Sequence, residues 1–338
     1  MAQTPRSTDR VKVLPPSHIV GQEMAVRLLV AALEKRRVTS GYCFVGPQGV
    51  GRGLMARWFA QALLCESGQE REGIRPAGIP CGQCPSCHWL MAGTHPDLHW
   101  VSPTYLHQGR LIAADSPEAQ TLQRRSPPQI RLEQVQGVVH FCARRPIRAR
   151  RSVVVLEGSE TLAEGAANAL LKTLEEPGLA HLILIAPQAA SLLPTLLSRC
   201  QLVPFRRLSP MEVGQVLQLL SQTAPEGISW SEWMALAQGS PGLALVAREQ
   251  LQGIPPELLE ALKRWPDSLA QALELAKAVS ARLDVPAQLW LIDYLQQHFW
   301  LQGSRQPLQP LERIRRQLLQ FVQPRLCWEV NLAGLDEL

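Results

Sequence analysis

The 338-residue sequence contains no apolar run approaching the ~18 residues that a membrane-spanning helix needs, which argues against a helical membrane protein. Its start, Met1-Ala2-Gln3-Thr4-Pro5-Arg6, carries no apolar leader, so a cytoplasmic location is expected. Internal repeats and long low-complexity tracts are missing too. Charge of one sign is scarce: 34 Lys+Arg against 29 Asp+Glu leaves +5, an excess that permits contact with nucleic acid without demanding it. Disulfides are rare in the expected compartment, so the eight cysteines need another explanation. What remains is 46% hydrophobic and 19% charged, the composition of a globular chain. At roughly 100–200 residues per domain, it has room for two or three domains.

Val20 to Lys35 reads as an amphipathic helix with Met24, Leu28, Ala31 and Ala32 at helical spacing. Tyr42 to Val45 reads as a short strand. It runs into Gly46-Pro47-Gln48-Gly49-Val50-Gly51-Arg52-Gly53, and Leu54 to Leu64 is helical again. Strand, glycine loop and helix in that order form a phosphate-binding layout. Segments 66–80 and 102–129, rich in Gly, Pro, Ser and Gln, read as insertions or loops. Then come a helix over Ile130 to Cys142, a strand over Ser152 to Leu156, a helix over Ala163 to Glu175 and a strand over Leu182 to Ala186. Unbroken apolar strands between helices predict a parallel sheet covered on both faces. Beyond Phe205 the strand signal ends. Three domains are expected: an α/β domain over 1–206, a small helical lid over 207–253 and a helical domain over 254–338.

Cys65, Cys81, Cys84 and Cys87 form C-x15-C-x2-C-x2-C. Two tight steps put three sulfurs on one knuckle, and four soft ligands suit a closed, structural Zn²⁺ site. His88 is the less favoured substitute ligand. Cys43, Cys142, Cys200 and Cys327 are scattered, as core packing allows.

The glycine loop is informative for its departures. A working loop of the form G-x-x-x-x-G-K-[ST] uses backbone N–H groups around phosphate, a Lys for the terminal oxygens and a hydroxyl for Mg²⁺. Gly46, Gly49 and Gly51 are in place, but Arg52 stands at the Lys position and Gly53 at the hydroxyl position. An anion can still bind at the helix start, yet Mg-dependent hydrolysis and ATP binding are not expected. The second strand ends in Glu157-Gly158-Ser159-Glu160, where an acidic pair would hold metal and water. Arg144 to Arg151 holds five arginines in eight residues, which reads either as a phosphate-tracking loop or as a solvated or acidic-partner surface.

Taken in order, Ile19-Val20-Gly21-Gln22, the loop Gly46 to Gly53, the four cysteines, Ala166 to Pro177 (AANALLKTLEEP) and Ser198-Arg199-Cys200 resemble the clamp-loader subunits of bacterial DNA polymerase III, members of the AAA+ superfamily. The resemblance covers residues 15–250 clearly and the C-terminal helices through their composition. It implies an AAA+ domain with a zinc module, a lid, and an all-helical collar for oligomerisation. Hydrolysing gamma/tau subunits would keep the loop Lys and Thr, a sensor Thr where Pro187-Gln188 stands and a lid Arg near Gly242, so this chain resembles the non-hydrolysing kind. The resemblance also implies that Arg199 serves as an arginine finger toward a neighbour's ATP. The implied partners are gamma/tau and delta subunits, the sliding clamp through the complex, and primer–template DNA. The alternatives are a gamma/tau-like motor using Arg52, or a zinc-containing DNA-binding module.

Overall fold

A computed structural model of the chain describes residues 19–67, 79–120 and 127–334. Parts of the N-terminal stretch, of the two loop segments 66–80 and 102–129 and of the C-terminal ending lie outside the described residues. The chain divides into two compact units, 1–216 and 217–338.

The first unit is built on a five-stranded sheet of order β2-β5-β6-β1-β7, every pair parallel. Its strands are β1 (Gly41–Val45), β2 (Leu98–Val101), β5 (Ser152–Glu157), β6 (Ala180–Ala186) and β7 (Gln201–Pro204). β1 and β6 are buried at every residue and β5 at all but Glu157, which is why they read as unbroken apolar runs. Alternate residues face opposite layers. On one side Cys43, Val154, Leu156, Leu182 and Leu184 pack against α5 (Leu132–Ala143) and α6 (Glu164–Glu175). On the other, α2 (Arg52–Leu64) lies against β5 and β6, with the Tyr42 and Phe59 rings edge to face at 5.0 Å.

Both edge strands escaped the sequence reading. β2 is half-buried and carries His99 and Trp100, while β7 holds Gln201, an exposed Leu202 and Pro204. Edge strands with one wet face have no continuous apolar signature. Segment 102–129 is also not simply a loop. It contains the hairpin β3 (Thr104–His107) and β4 (Arg110–Ala113), turned at Gln108 (φ 49°) and Gly109 (φ 77°), and the short α4 (Pro117–Gln120). Two consecutive residues with positive φ are what a two-residue hairpin turn needs.

The first helix, α1 (Glu23–Glu34), begins later than expected and buries Ala25, Leu29 and Ala32, a face offset from the predicted one, with Met24 turned to solvent. Its start is set by Gly21 at φ 74°, where a Cβ would lie 3.0 Å from Leu208 Cγ. Gln22 then turns its side chain inward: Nε2 donates to the carbonyls of Arg206 (2.8 Å) and Val50 (3.3 Å), and Oε1 accepts from Arg206 N–H (3.1 Å). The remaining helices of this unit are α3 (Pro85–Met91), α7 (Pro194–Leu197) and α8 (Pro210–Leu219), the last running across the division between the units.

The second unit is helical throughout its described residues: α9 (Trp230–Ala237), α10 (Pro241–Gln252), α11 (Pro256–Arg264), α12 (Leu269–Arg282), α13 (Val285–Leu301), α14 (Leu308–Leu319) and α15 (Pro324–Leu332). Its helices start where the sequence supplies caps. Ser229, Ser240, Ser268 and Asp284 each accept a first-turn N–H. Trp328 is fully buried, and its Nε1–H donates to Gln288 Oε1 at 2.9 Å, which satisfies the indole inside the core. No helix among the described residues is long and apolar enough to cross a membrane.

Backbone approaches backbone very closely at Gly46, where a Cβ would sit 2.4 Å from the Phe205 carbonyl oxygen. Gly46→Ala is therefore expected to destabilise the fold by ~1–3 kcal/mol, measured as a fall in the urea midpoint, whereas Gly165→Ala, which meets nothing within 4 Å, should not.

Candidate functional site: glycine loop, exposed arginine and cysteine cluster

The glycine loop leaves the C-terminal end of β1 and closes at α2. Gly49 (φ 74°) and Gly51 (φ 103°) take left-handed backbone, and Gly51 is the helix N-cap without a side-chain cap. That supplies a helix start with free N–H groups, the part of a phosphate site that needs only backbone. The side chains do not complete it. Gly53 has no hydroxyl, and its Cα faces Glu157 closely enough that a Cβ would come within 3.7 Å of Oε1. Glu157 accepts the Trp100 indole N–H at 2.8 Å, and Trp100 lies under the Arg57 guanidinium at 4.8 Å. Arg52 has its Nη1 buried with no hydrogen-bond partner. Burial pulls its pKa down and the nearby Glu160 and Glu157 carboxylates push it back up. The place where a metal and phosphates would meet thus holds an arginine beside two carboxylates.

Arg199 sits at the other end of the sheet. Its carbonyl oxygen lies 2.9 Å from where a Cβ on Gly41, the first residue of β1, would stand, whereas the glycine loop follows Val45, the last. Five residues of strand at about 3.3 Å each separate the two. The arginine follows α7 in the turn Ser198-Arg199-Cys200, and its side chain is one-third exposed. Its guanidinium is paired with Glu175 at the end of α6.

The cysteines converge as the spacing predicts. Cys65 comes from the end of α2, while Cys81, Cys84 and Cys87 lead into α3, and the four sulfurs lie within 4.8 Å of one another. The Cys65–Cys84 and Cys81–Cys87 pairs are 4.0 and 3.9 Å apart. Tetrahedral bonds of about 2.3 Å require sulfurs about 3.8 Å apart, so the cluster could hold a metal ion. Backbone N–H groups of Cys81, Cys84 and Cys87 already donate to sulfurs at 3.2–3.4 Å. Burial raises the pKa of Cys84, while neighbouring thiols and burial raise that of Cys87, a conflict that a divalent cation removes. His88, on α3, is not in the cluster.

Asp97, which the sequence reading did not single out, organises the arginine run. It is 1% exposed, and its carboxylate accepts N–H groups of Ile147 (2.6 Å), Arg148 (2.8 Å) and Ala149 (2.8 Å). Arg144 donates to the Pro96 carbonyl and stacks on Phe141, and Arg148 stacks on Trp89 of α3. Part of the run is thus spent on local structure. A buried acid two residues after a histidine carries no motif, and only its pairing with a distant loop marks it.

With the geometry in place, comparison with known proteins decides the family. Residues 21–209 match the family described as DNA polymerase III, delta subunit, and residues 211–335 match the C-terminal domain of cyanobacterial DNA polymerase III delta prime. The chain belongs to the DNA polymerase III delta-prime family. Among its relatives, subunit delta' of Pseudomonas aeruginosa is 32% identical over 261 residues, 75% of this chain and 69% of that protein. The subunit delta' of Bacillus subtilis is 29% identical over 194 residues, 57% of this chain and 50% of its own length. That of Haemophilus influenzae is 34% identical over 198 residues, 58% of this chain and 51% of its own. The chain spans about half the length of the last two.

Membership in the delta-prime family agrees with the clamp-loader resemblance of the motifs, and the expected fold class, a parallel α/β domain followed by helices, is the observed one. The Gly21-Gln22 pair gains a physical reading as the brace between the glycine loop and the segment after β7.

Asp97 yields a pH prediction. Burial raises its pKa, but three backbone N–H groups outweigh this and hold it below the ordinary 3.8. A depressed carboxylate stabilises the fold fully above the unfolded value and loses that contribution as pH falls through the folded value. Stability should therefore drop below about pH 4, and Asp97→Asn should cost about 1–3 kcal/mol at pH 7 while flattening that acid limb, as read by urea unfolding at several pH values.

Proposed function

We propose that this chain is the stator of a DNA polymerase III clamp loader: it does not hydrolyse ATP, and it supplies Arg199 to the ATP site of a neighbouring gamma/tau subunit. The observation that carries the reading is the separation along β1. An exposed arginine at the start of the strand cannot reach phosphates held at the loop beyond its other end, so its substrate must belong to another subunit. A guanidinium there would stabilise charge on the transferred phosphoryl group. The chain's own loop supports the other half of the reading, since Arg52 and Gly53 replace the lysine and the metal-binding hydroxyl.

In this reading residues 1–206 form the AAA+ domain, 207–253 the lid and 254–338 the collar that joins the subunits. Together with gamma/tau and delta the chain opens the sliding clamp and places it on primer–template DNA. The four cysteines hold a structural zinc ion that ties the end of α2 to α3 and adds no catalytic step.

Two experiments test this. Arg199→Ala in the reconstituted loader should slow hydrolysis at the facing site by roughly 10³-fold in the presence of clamp and DNA, while the isolated wild-type chain shows no Mg-dependent ATP binding; unchanged stimulated hydrolysis would remove the arginine assignment. Purified chain should carry about one equivalent of zinc by elemental analysis. Cys84→Ser should release it and lower the thermal midpoint, whereas Cys327→Ser should keep the metal.

A further inference from the structure

Arg199 is not free to meet a phosphate as it stands. Its Nε–H donates to Glu175 Oε1 at 2.9 Å, and one Nη2–H goes to the same oxygen. Nη1 donates to the Thr195 carbonyl at 2.8 Å and to Ser198 Oγ at 3.2 Å. Ser198 Oγ in turn donates to Thr195 O at 3.0 Å. A guanidinium has five N–H donors in one plane. Four are engaged, and a single Nη2–H is left.

Geometry and charge have the same consequence. Bidentate recognition of a phosphoryl group takes two parallel donors along one edge, and the Nε–Nη2 edge is the one that Glu175 fills. The carboxylate stands where phosphoryl oxygens would stand, and it also cancels the positive field that would draw them. The two sides of this socket differ in how they can yield. Thr195 and Ser198 belong to the arginine's own turn and move with it. Glu175 lies 24 positions away in sequence on another helix and is half exposed. Exposed ion pairs are weak, so this is the contact that opens.

We propose that Glu175 is a positioning residue for Arg199: it holds the guanidinium in a resting orientation by occupying the edge that a neighbour's phosphoryl group takes, so that hydrolysis next door waits for the pair to open. This rests on the arginine-finger reading above. Ser198 and Thr195 keep the other end of the guanidinium fixed, so that opening the pair exposes an oriented edge rather than a loose side chain.

The test is steady-state phosphate release by the reconstituted loader, with ATP as the probe and with neither clamp nor DNA present. Glu175→Gln, which keeps size and removes charge, should raise this resting rate about twofold to fivefold, the range that one exposed pair commands. Glu175→Asp, which keeps the charge, should stay near the wild-type rate. In an Arg199→Ala background, Glu175→Gln should change nothing, a readout that a purely structural role would not give. A resting rate unchanged or lowered by Glu175→Gln, or raised equally without Arg199, overturns the proposal while a slow Arg199→Ala loader keeps the arginine finger. If Arg199→Ala leaves every rate intact, the arginine finger fails, and this inference with it.

Discussion

β1 is the member on which the rest of the first unit depends. It is five residues long, fully buried and flanked by β6 and β7, so neither face nor edge has freedom to move. Its parallel register sets both of its ends. At the C-terminal end Gly46 meets the Phe205 carbonyl so closely that no side chain fits, and the loop is pinned there. At the N-terminal end Gly41 packs under Arg199 and Cys200. A strand held this firmly turns a sequence fact, that a degenerate loop and an intact Ser-Arg-Cys motif coexist, into a spatial one: the two lie at opposite ends of one rigid element.

How much of this was legible in the sequence follows from which residues are buried on both sides. β1, β5 and β6 announced themselves because both faces are covered and, apart from Ser152, Glu157 and His181 toward the strand ends, no position carries a polar side chain other than the Tyr42 ring. β2 and β7 did not, because an edge strand tolerates His99, Trp100, Gln201 and Pro204. The hairpin β3–β4 was hidden by its exposed leucines and polar tip. Among candidate site residues, Cys65, Cys81, Cys84 and Cys87 were legible from local spacing alone, and Gly46 to Gly53 from a contiguous pattern. Gln22, Asp97 and Glu175 were not legible as actors, because what each does depends on a partner 24 to 184 residues away.

The arginine-rich segment shows why a charge run cannot be read without its neighbours. Five arginines in sequence suggest one surface, yet three consecutive N–H groups within the run turn inward onto Asp97, and two of the arginines place their guanidinium groups over the Phe141 and Trp89 rings. Trp89 belongs to the helix that carries Cys87, and Arg148 also approaches Glu66, the neighbour of Cys65, at 4.0 Å. The cysteine cluster and the basic loop are therefore one structural module, joined by a cation–π stack and a long ion pair.

The shape of the glycine loop also has a mechanical reason. In a site organised by its ligand, phosphate would satisfy the N–H groups at the start of α2 and hold the loop closed. Here the bracing comes from within the protein. Gln22 binds the Val50 carbonyl on the loop and both backbone groups of Arg206 beyond β7, and the Phe44 and Phe205 rings pack at a 44° tilt with centroids 5.4 Å apart. Gly21 keeps α1 close enough for this brace because a side chain there would strike Leu208 and Glu212. These contacts tie the loop both to the residue that opens α1 and to the segment after β7, so the three are braced as one piece. Arg52 and Gly53, which stand where a loop of the form G-x-x-x-x-G-K-[ST] has its lysine and hydroxyl, follow directly on this braced segment at the start of α2.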